Sequence, residues 1–416
     1  MASLRLGRPR PLLRAILEFV NALNGFRPLG RKGYVSFLVF QFGWPTSELP
    51  TLYLAASVFD VLRRGLRGDL KGRRGFAALA VTAASWVVLA LTHRCVVTSG
   101  ALLQDSLREE LGSHYTGALN TLATAPSPTG RGSAWRTPAA RRRYVDKQDT
   151  VRYGPYGRAN LADIWRRGDL PRDGKAPVLV QVPGGGWAIG MRRPQAYPLM
   201  GHLAERGWIC MSLAYRVSPR HTWPDHIVDV KRALAWVKEN IASFGGDPDF
   251  VAITGGSAGG HLAALAALTP NDPAFQPGFE DADTSVAAAV PLYGRYDWVS
   301  TDGEGRGQFL AFLQKFVVKQ QLDERRDIYI DASPIRRVRV DAPPFFIVHG
   351  QDDSIIPVNE AREFVAAMRD VSKSPVVYAE LPHTQHGFDI FGSPRAHHTA
   401  EAVGQFLSWL STTRDG

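Results

Sequence analysis

The 416-residue sequence predicts an α/β fold, with a mostly parallel central sheet carrying helices on both faces, preceded by an apolar helical N-terminal region. Three observations predict it. Beyond about residue 150, apolar β-branched runs alternate with helix-forming segments, which is the pattern of strands joined by crossover helices. One such junction, "VAITGGSAGGHLAALAAL" from Val251 to Leu268, sets a serine between glycines where a strand-like run becomes Ala/Leu-rich. Before residue 120, by contrast, long uncharged stretches are set among basic residues.

The charge is unevenly placed. Residues 1–150 hold 21 Lys and Arg against 9 Asp and Glu, whereas the remainder holds 28 against 30. No zinc-finger spacing or RNA-binding signature accompanies the basic residues, so nucleic acid is not an expected partner. Gly75–Thr92, "GFAALAVTAASWVVLALT", is 18 residues without a charge, the lower limit for a membrane-crossing helix. A second apolar region, 34–62, is interrupted by "GWPTSELP". Pro45, Glu48 and Pro50 there argue against one straight span and for a kinked span, a re-entrant hairpin or an interfacial segment. A soluble helical cap is the alternative for both regions. No A-x-A site follows closely, so a signal peptide is not expected.

Side assignment is contested within the sequence. Between the apolar regions lies "RRGLRGDLKGRRG", and the N-terminus carries Arg5, Arg8, Arg10, Arg14, Arg27, Arg31 and Lys32. Both basic segments claim the cytoplasmic face, which two simple spans cannot satisfy. If only 75–92 crosses, the α/β domain lies on the extracytoplasmic side; if neither region crosses, it sits on the inner surface.

"ALLQDSLREELGSHY" has the spacing of a short amphipathic helix, and "ATAPSPTGRGSAWRTPAARRR" reads as a linker. The expected organisation is therefore a membrane-associated region at 1–120, a Pro/Gly/Arg-rich linker at 121–145 and an α/β domain at 146–416, whose chemistry the motifs below indicate. Strands are expected at 178–182, 208–214, 250–254, 286–292, 345–349 and 375–381. Residues 295–340 include "FLAFLQKFVV", apolar enough to line a pocket or to pack as an ordinary amphipathic helix.

Ser257 sits in the G-x-S-x-G turn, where side chains at 255 and 259 would collide with the neighbouring strand or helix. A serine needs a base, an orienting acid and donors for the developing oxyanion. "VLVQVPGGGWAIG" follows a strand with Gly184, Gly185 and Gly186, whose bare N–H groups can approach a tetrahedral intermediate, as can that of Ala258. Trp187, next in that loop, is expected to contact substrate. "FFIVHGQDDSIIP" brings Asp352 and Asp353 as candidate acids, one of them a loop or N-cap residue. "LPHTQHGFDIF" brings His383 and His386, with His386 beside Gly387 the better base; His-x-x-His in a loop is weak evidence for zinc, and no metal site is expected. Asp297 is a further acid but lies one strand too early. The order serine, acid, histidine is that of an α/β-hydrolase.

Taken together, "PGGGW", "LAYRVSP", "WPDHIVDVKRALAWVKEN", "FGGDPDFVAITGGSAGG", "HGQDDSIIP" and "HGF" resemble the hormone-sensitive-lipase-like carboxylesterases, over roughly residues 153–410. The resemblance implies Ser257 as nucleophile, Asp353 as acid, His386 as base, Gly185, Gly186 and Ala258 as oxyanion donors, and a cap over the site from residues 295–340 whose "FLAFLQKFVV" would line an acyl pocket. One departure is Pro183, where the family has His before the glycines; it puts the loop geometry in question more than the chemistry. The implied activity is carboxylic ester hydrolysis without cofactor, on a small-molecule ester or an acyl lipid. Amide hydrolysis by the same triad is the alternative, and a non-catalytic binding protein on the scaffold a weaker one, because such proteins generally lack a triad member. Only Cys95 and Cys210 are present, so no disulfide framework is implied, and nothing specifies an oligomeric state.

Overall fold

The computed structural model describes residues 11–30, 33–119, 137–303 and 305–414. Eight strands form one sheet: β1 (Thr150–Arg152), β2 (Leu161–Trp165), β3 (Ala176–Val182), β4 (Ile209–Leu213), β5 (Gly246–Gly256), β6 (Ala288–Leu292), β7 (Phe345–Gly350) and β8 (Val376–Leu381). Their order is β1-β2-β4-β3-β5-β6-β7-β8. β1, β2 and β4 pair antiparallel, and every later pair is parallel.

The central strands are apolar because both their faces are covered. In β5, Val251 and Ile253 face one core, shared with α7 (Asp225–Asn240) and α8 (Ala258–Leu268). Ala252 faces the other, shared with α6 (Tyr197–Glu205) and α12 (Pro394–Arg414). All six expected strands are present within a few residues. β1 and β2 were not expected, being short and lying on the antiparallel edge.

The N-terminal third is helical: α1 (Pro11–Phe26), α2 (Gly33–Glu48), α3 (Pro50–Leu66) and α4 (Gly72–Leu111). Pro45 lies inside α2 and Pro50 starts α3, so the interrupted apolar region becomes two helices rather than one kinked rod. The short amphipathic helix expected after residue 100 is instead the last part of the 40-residue α4. Its Leu103 and Leu107 enter the core shared with α12, which explains their helical spacing. Of the expected linker, 121–136 lies outside the described residues, and its end forms α5 (Thr137–Tyr144). The remaining helices are α9 (Arg306–Phe312), α10 (Arg326–Asp331) and α11 (Asn359–Val371).

Candidate active site

Ser257 is the residue between β5 and α8, with φ 58° and ψ −121°. Its N–H donates to Leu292 O at 3.0 Å, and its carbonyl accepts from His261 N at 3.0 Å. A Cβ on Gly259 would stand 2.1 Å from Val182 O, and one on Gly255 would stand 2.5 Å from Gly259 C. Strand and helix therefore meet too closely for any side chain at either position, as the G-x-S-x-G spacing anticipates.

The glycine loop lies against this turn. A Cβ on Gly184 would be 3.2 Å from Ser257 Cβ. Gln195 pins the loop, its Oε1 accepting from Gly184 N at 2.7 Å and its Nε2 donating to Gly184 O at 3.1 Å. Gly184 thus spends its N–H on Gln195, and the next two residues, Gly185 and Gly186, turn through φ 130° and 59°. Pro183 has its carbonyl bound by the Tyr215 hydroxyl at 3.0 Å. Gln195 and Tyr215 are therefore the anchors of a loop that lacks the usual histidine.

Trp187 is almost fully buried and yet lines the cavity that Ser257 faces. Its Nε1–H donates to His261 Nδ1 at 3.2 Å. His261 in turn faces Ala332 O with Nε2 at 2.7 Å. Both contacts suit one neutral tautomer, with Nδ1 accepting and Nε2–H donating. Burial pushes this imidazole down to about 3, so it is a packing element of the helix that follows the serine.

The two candidate acids separate cleanly. Asp353 Oδ2 accepts from His386 Nδ1 at 2.6 Å. Its Oδ1 accepts from the N–H groups of Ile355 and Ile356 at 2.8 and 2.7 Å. Burial alone would raise this carboxyl. The charge of His386, with hydrogen bonds from His349 and His386, instead holds it well below the usual carboxylate range. Asp352 pairs with the other histidine, its Oδ2 lying 3.4 Å from His383 Nδ1. Asp297 receives the N–H groups of Val299 and Ser300, which makes it a turn cap.

Several partners of the histidine carry no sequence signal. Gln385 Oε1 accepts from both His386 N and Ser354 N, at 2.9 and 2.7 Å, tying the histidine loop to the acid loop. The Tyr293 ring stands edge-on to His386 with centroids 4.6 Å apart, and its hydroxyl donates to Asp389. The same hydroxyl would be 2.3 Å from a Cβ on Gly256, so Tyr293 bridges the serine turn and the histidine. From α2, Phe40 presents an edge to His386 at 5.9 Å, and Trp44 Nε1 donates to Gly387 O at 2.9 Å. Glu48, at the end of α2, is buried against Arg395 and accepts from Ser393 at 2.8 Å.

A cavity of about 1270 Å³ opens over Ser257, with Gly186, Trp187 and Asp353 in its wall. Phe309, Phe312 and Phe316, from the α9 segment and the turn after it, add an aromatic side, and Phe37 of α2 completes it. No cluster of metal-ligating side chains occurs among the described residues.

Residues 169–368 match the BD-FAE family. The probable carboxylic ester hydrolase LipM of Mycobacterium tuberculosis is 47% identical, over 97% of this chain and 94% of its own. The chain belongs to this esterase family. Esterase LipC of the same organism is 43% identical over 94% of this chain and 98% of its own. Among solved structures, a thermophilic esterase of Thermogutta terrifontis with butyrate bound has a TM-score of 0.51 at 25% identity, covering 61% of this chain and 90% of that one. A truncated carbohydrate esterase from gut microbiota shares the fold, with a TM-score of 0.56 at 22% identity, over 65% of this chain and 98% of that one. The protein is a serine hydrolase of carboxylic esters on the α/β-hydrolase fold.

Proposed function

We propose that Ser257 is the nucleophile, His386 the general base and then acid, and Asp353 the residue that orients and charge-stabilises His386. Ser257 Oγ attacks the acyl carbonyl as His386 takes its proton, and the oxyanion is met by the N–H groups of Gly185, Gly186 and Ala258. Collapse expels the alcohol, which leaves with the proton from His386. Water, deprotonated by the same histidine, then releases the acid and regenerates the serine. Side chains and backbone supply every group this route requires, so it calls on no metal or organic cofactor. The observation that carries the assignment is the buried 2.6 Å contact between Asp353 and His386, in a fold whose nucleophile turn carries Ser257.

The substrate we propose is an apolar acyl ester, with the chain lying along Phe309, Phe312, Phe316 and Phe37, and Trp187 at the reacting end. Residues 146–416 are the catalytic unit. Residues 1–120 attach it to a membrane through α4, whose apolar run is long enough to cross one and is only about one-third buried. Hydrolysis of p-nitrophenyl esters from acetate to palmitate by the detergent-solubilised protein tests this reading. Turnover that vanishes in Ser257→Ala and peaks beyond butyrate supports it; turnover that persists in Ser257→Ala overturns it.

A further inference from the structure

The N-terminal helices are built with large apolar side chains outside and small ones inside. α1 turns Leu13, Ile16, Leu17 and Val20 outward at 42–59% exposure while burying Ala15, Ala22 and Gly25. Over 75–92, α4 exposes Phe76, Val87 and Leu91 while burying Gly75, Ala78, Thr82, Ser85 and Thr92, with Leu89 the one large side chain in the seam. Water would drive the large residues into the seam. A hydrocarbon solvent removes that drive and favours small residues that let helices approach closely.

Contacts fix the direction of each helix. α1 ends at Phe26, stacked on His383 with centroids 4.1 Å apart, so its start points away from the catalytic domain. α3 begins beside Glu48, which is buried against Arg395, and runs outward. The far ends of α1 and α3 meet where Arg14 pairs with Asp60 at 3.0 Å. α4 starts there and returns, Trp86 Nε1 donating to Ser57 Oγ at 2.8 Å on the way. It then docks on the catalytic domain, where Gln104 donates to Gln405 and Glu110 accepts from Val376 N, both at 2.8 Å. Three helices therefore lead between the catalytic domain and the far end, while α2 stays with the catalytic domain.

An odd number of crossings would put both basic segments on one side. Arg14, Arg63, Arg64, Arg67, Lys71, Arg73 and Arg74 belong to the far end, and Arg5, Arg8 and Arg10 precede α1 in the sequence. The connection from α1 to α2 holds only Arg27, Arg31 and Lys32. The uncharged 75–92 spans about 27 Å, close to a hydrocarbon thickness of about 30 Å, and lies in the one helix among the described residues long and apolar enough to cross alone. α1 and α3, of 16 and 17 residues, are about 24–26 Å long only when Arg14, Glu18, Asp60, Arg63 and Arg64 are counted, so they would cross packed on α4 with Arg14 and Asp60 paired at the far end.

We propose that α1, α3 and α4 cross the bilayer together, with the basic far end in the cytoplasm and the catalytic domain outside. α2 lies at the outer surface, its exposed Val35, Phe37, Leu38 and Phe42 towards lipid. Phe37, 57% exposed and also in the cavity wall, makes that surface continuous with the active site, so an acyl chain enters from the bilayer. This rests on the membrane attachment proposed above. With α4 as a lone span, α2 would be separated by the membrane from Gly387, to which Trp44 is hydrogen-bonded.

The test is cysteine accessibility in intact cells of a bacterial expression host, with an impermeant maleimide, in a Cys95→Ala, Cys210→Ala background that retains esterase activity. Leu29→Cys and Asp173→Cys are expected to label in intact cells, and Asp69→Cys only after permeabilisation. Protection of Leu29→Cys in intact cells overturns the three-helix arrangement in favour of one crossing, and identical labelling at all three positions overturns any crossing. An alkaline carbonate wash separates the two readings. Release of the chain from membranes sinks the attachment itself, whereas retention with Leu29→Cys protected sinks the topology alone.

Discussion

Asp353→Asn replaces one carboxylate oxygen by an NH₂ group and tests the proposed role of Asp353 behind His386. In the native site, Oδ1 accepts from two backbone N–H groups and Oδ2 accepts from His386 Nδ1–H. An asparagine has one acceptor oxygen to share between these tasks. If the oxygen stays on Ile355 and Ile356, the amide NH₂ faces His386 and stabilises the tautomer protonated at Nε2, which cannot accept the serine proton. If the amide flips, its NH₂ confronts two backbone donors, at about 1–3 kcal/mol of stability. The wrong tautomer lowers kcat by on the order of 10⁴-fold, or about 5.5 kcal/mol of barrier. Asp352→Asn weakens the 3.4 Å pair with His383 and leaves the Asp353–His386 contact in place, so it is expected to lower kcat by less than about fivefold. Steady-state kinetics on p-nitrophenyl butyrate, with thermal unfolding as a folding control, separates the two. Equal losses at 352 and 353 would refute the assignment of the acid.

Trp44→Phe keeps an aromatic ring on Phe391 but deletes the N–H that holds Gly387 O. It is expected to lower kcat about three- to tenfold with KM within twofold, because the histidine loop loses an anchor while the cavity keeps its wall; unchanged kcat would deny α2 a positioning role. Gly259→Ala is expected to destabilise the fold by more than about 3 kcal/mol, since the backbone of Val182 and Pro183, at the end of β3 and the start of the glycine loop, opposes the new Cβ; a wild-type urea midpoint would contradict the packing described. Burial pushes His202, His226 and His261 down to about 3. Unfolded histidine takes up its proton near 6.5, so their stabilisation is complete above that pH and falls as pH drops towards 3. The slope is about 1.4 kcal/mol per pH unit for each, or about 4 for the three. Urea midpoints at pH 7.5, 6 and 5 are expected to fall steadily, and a flat profile would contradict it.

What the sequence reveals of this protein follows the range of the interactions involved. The central strands are legible because burial on both faces demands continuous apolar runs, and the serine turn is legible because two backbone segments crowd residues 255 and 259. The choice between Asp352 and Asp353 is not local. Adjacent residues in a loop point different ways, and only the folded arrangement sends one to His386 and the other to His383. Trp44 and Gly387 are 343 residues apart, so no spacing rule connects them. The two basic segments claim one face, which two crossings cannot satisfy; Pro45 and Pro50 leave α2 beside the catalytic domain, and the proposed three crossings would satisfy both.

The most direct test of the central claim is stoichiometric labelling with a diethyl organophosphate, followed by peptide mass spectrometry. The account predicts one diethylphosphoryl group on the peptide containing Ser257, loss of esterase activity in proportion to labelling, and no adduct in Ser257→Ala. Inactivation with the adduct on another residue, or full activity in a protein labelled at Ser257, would contradict it.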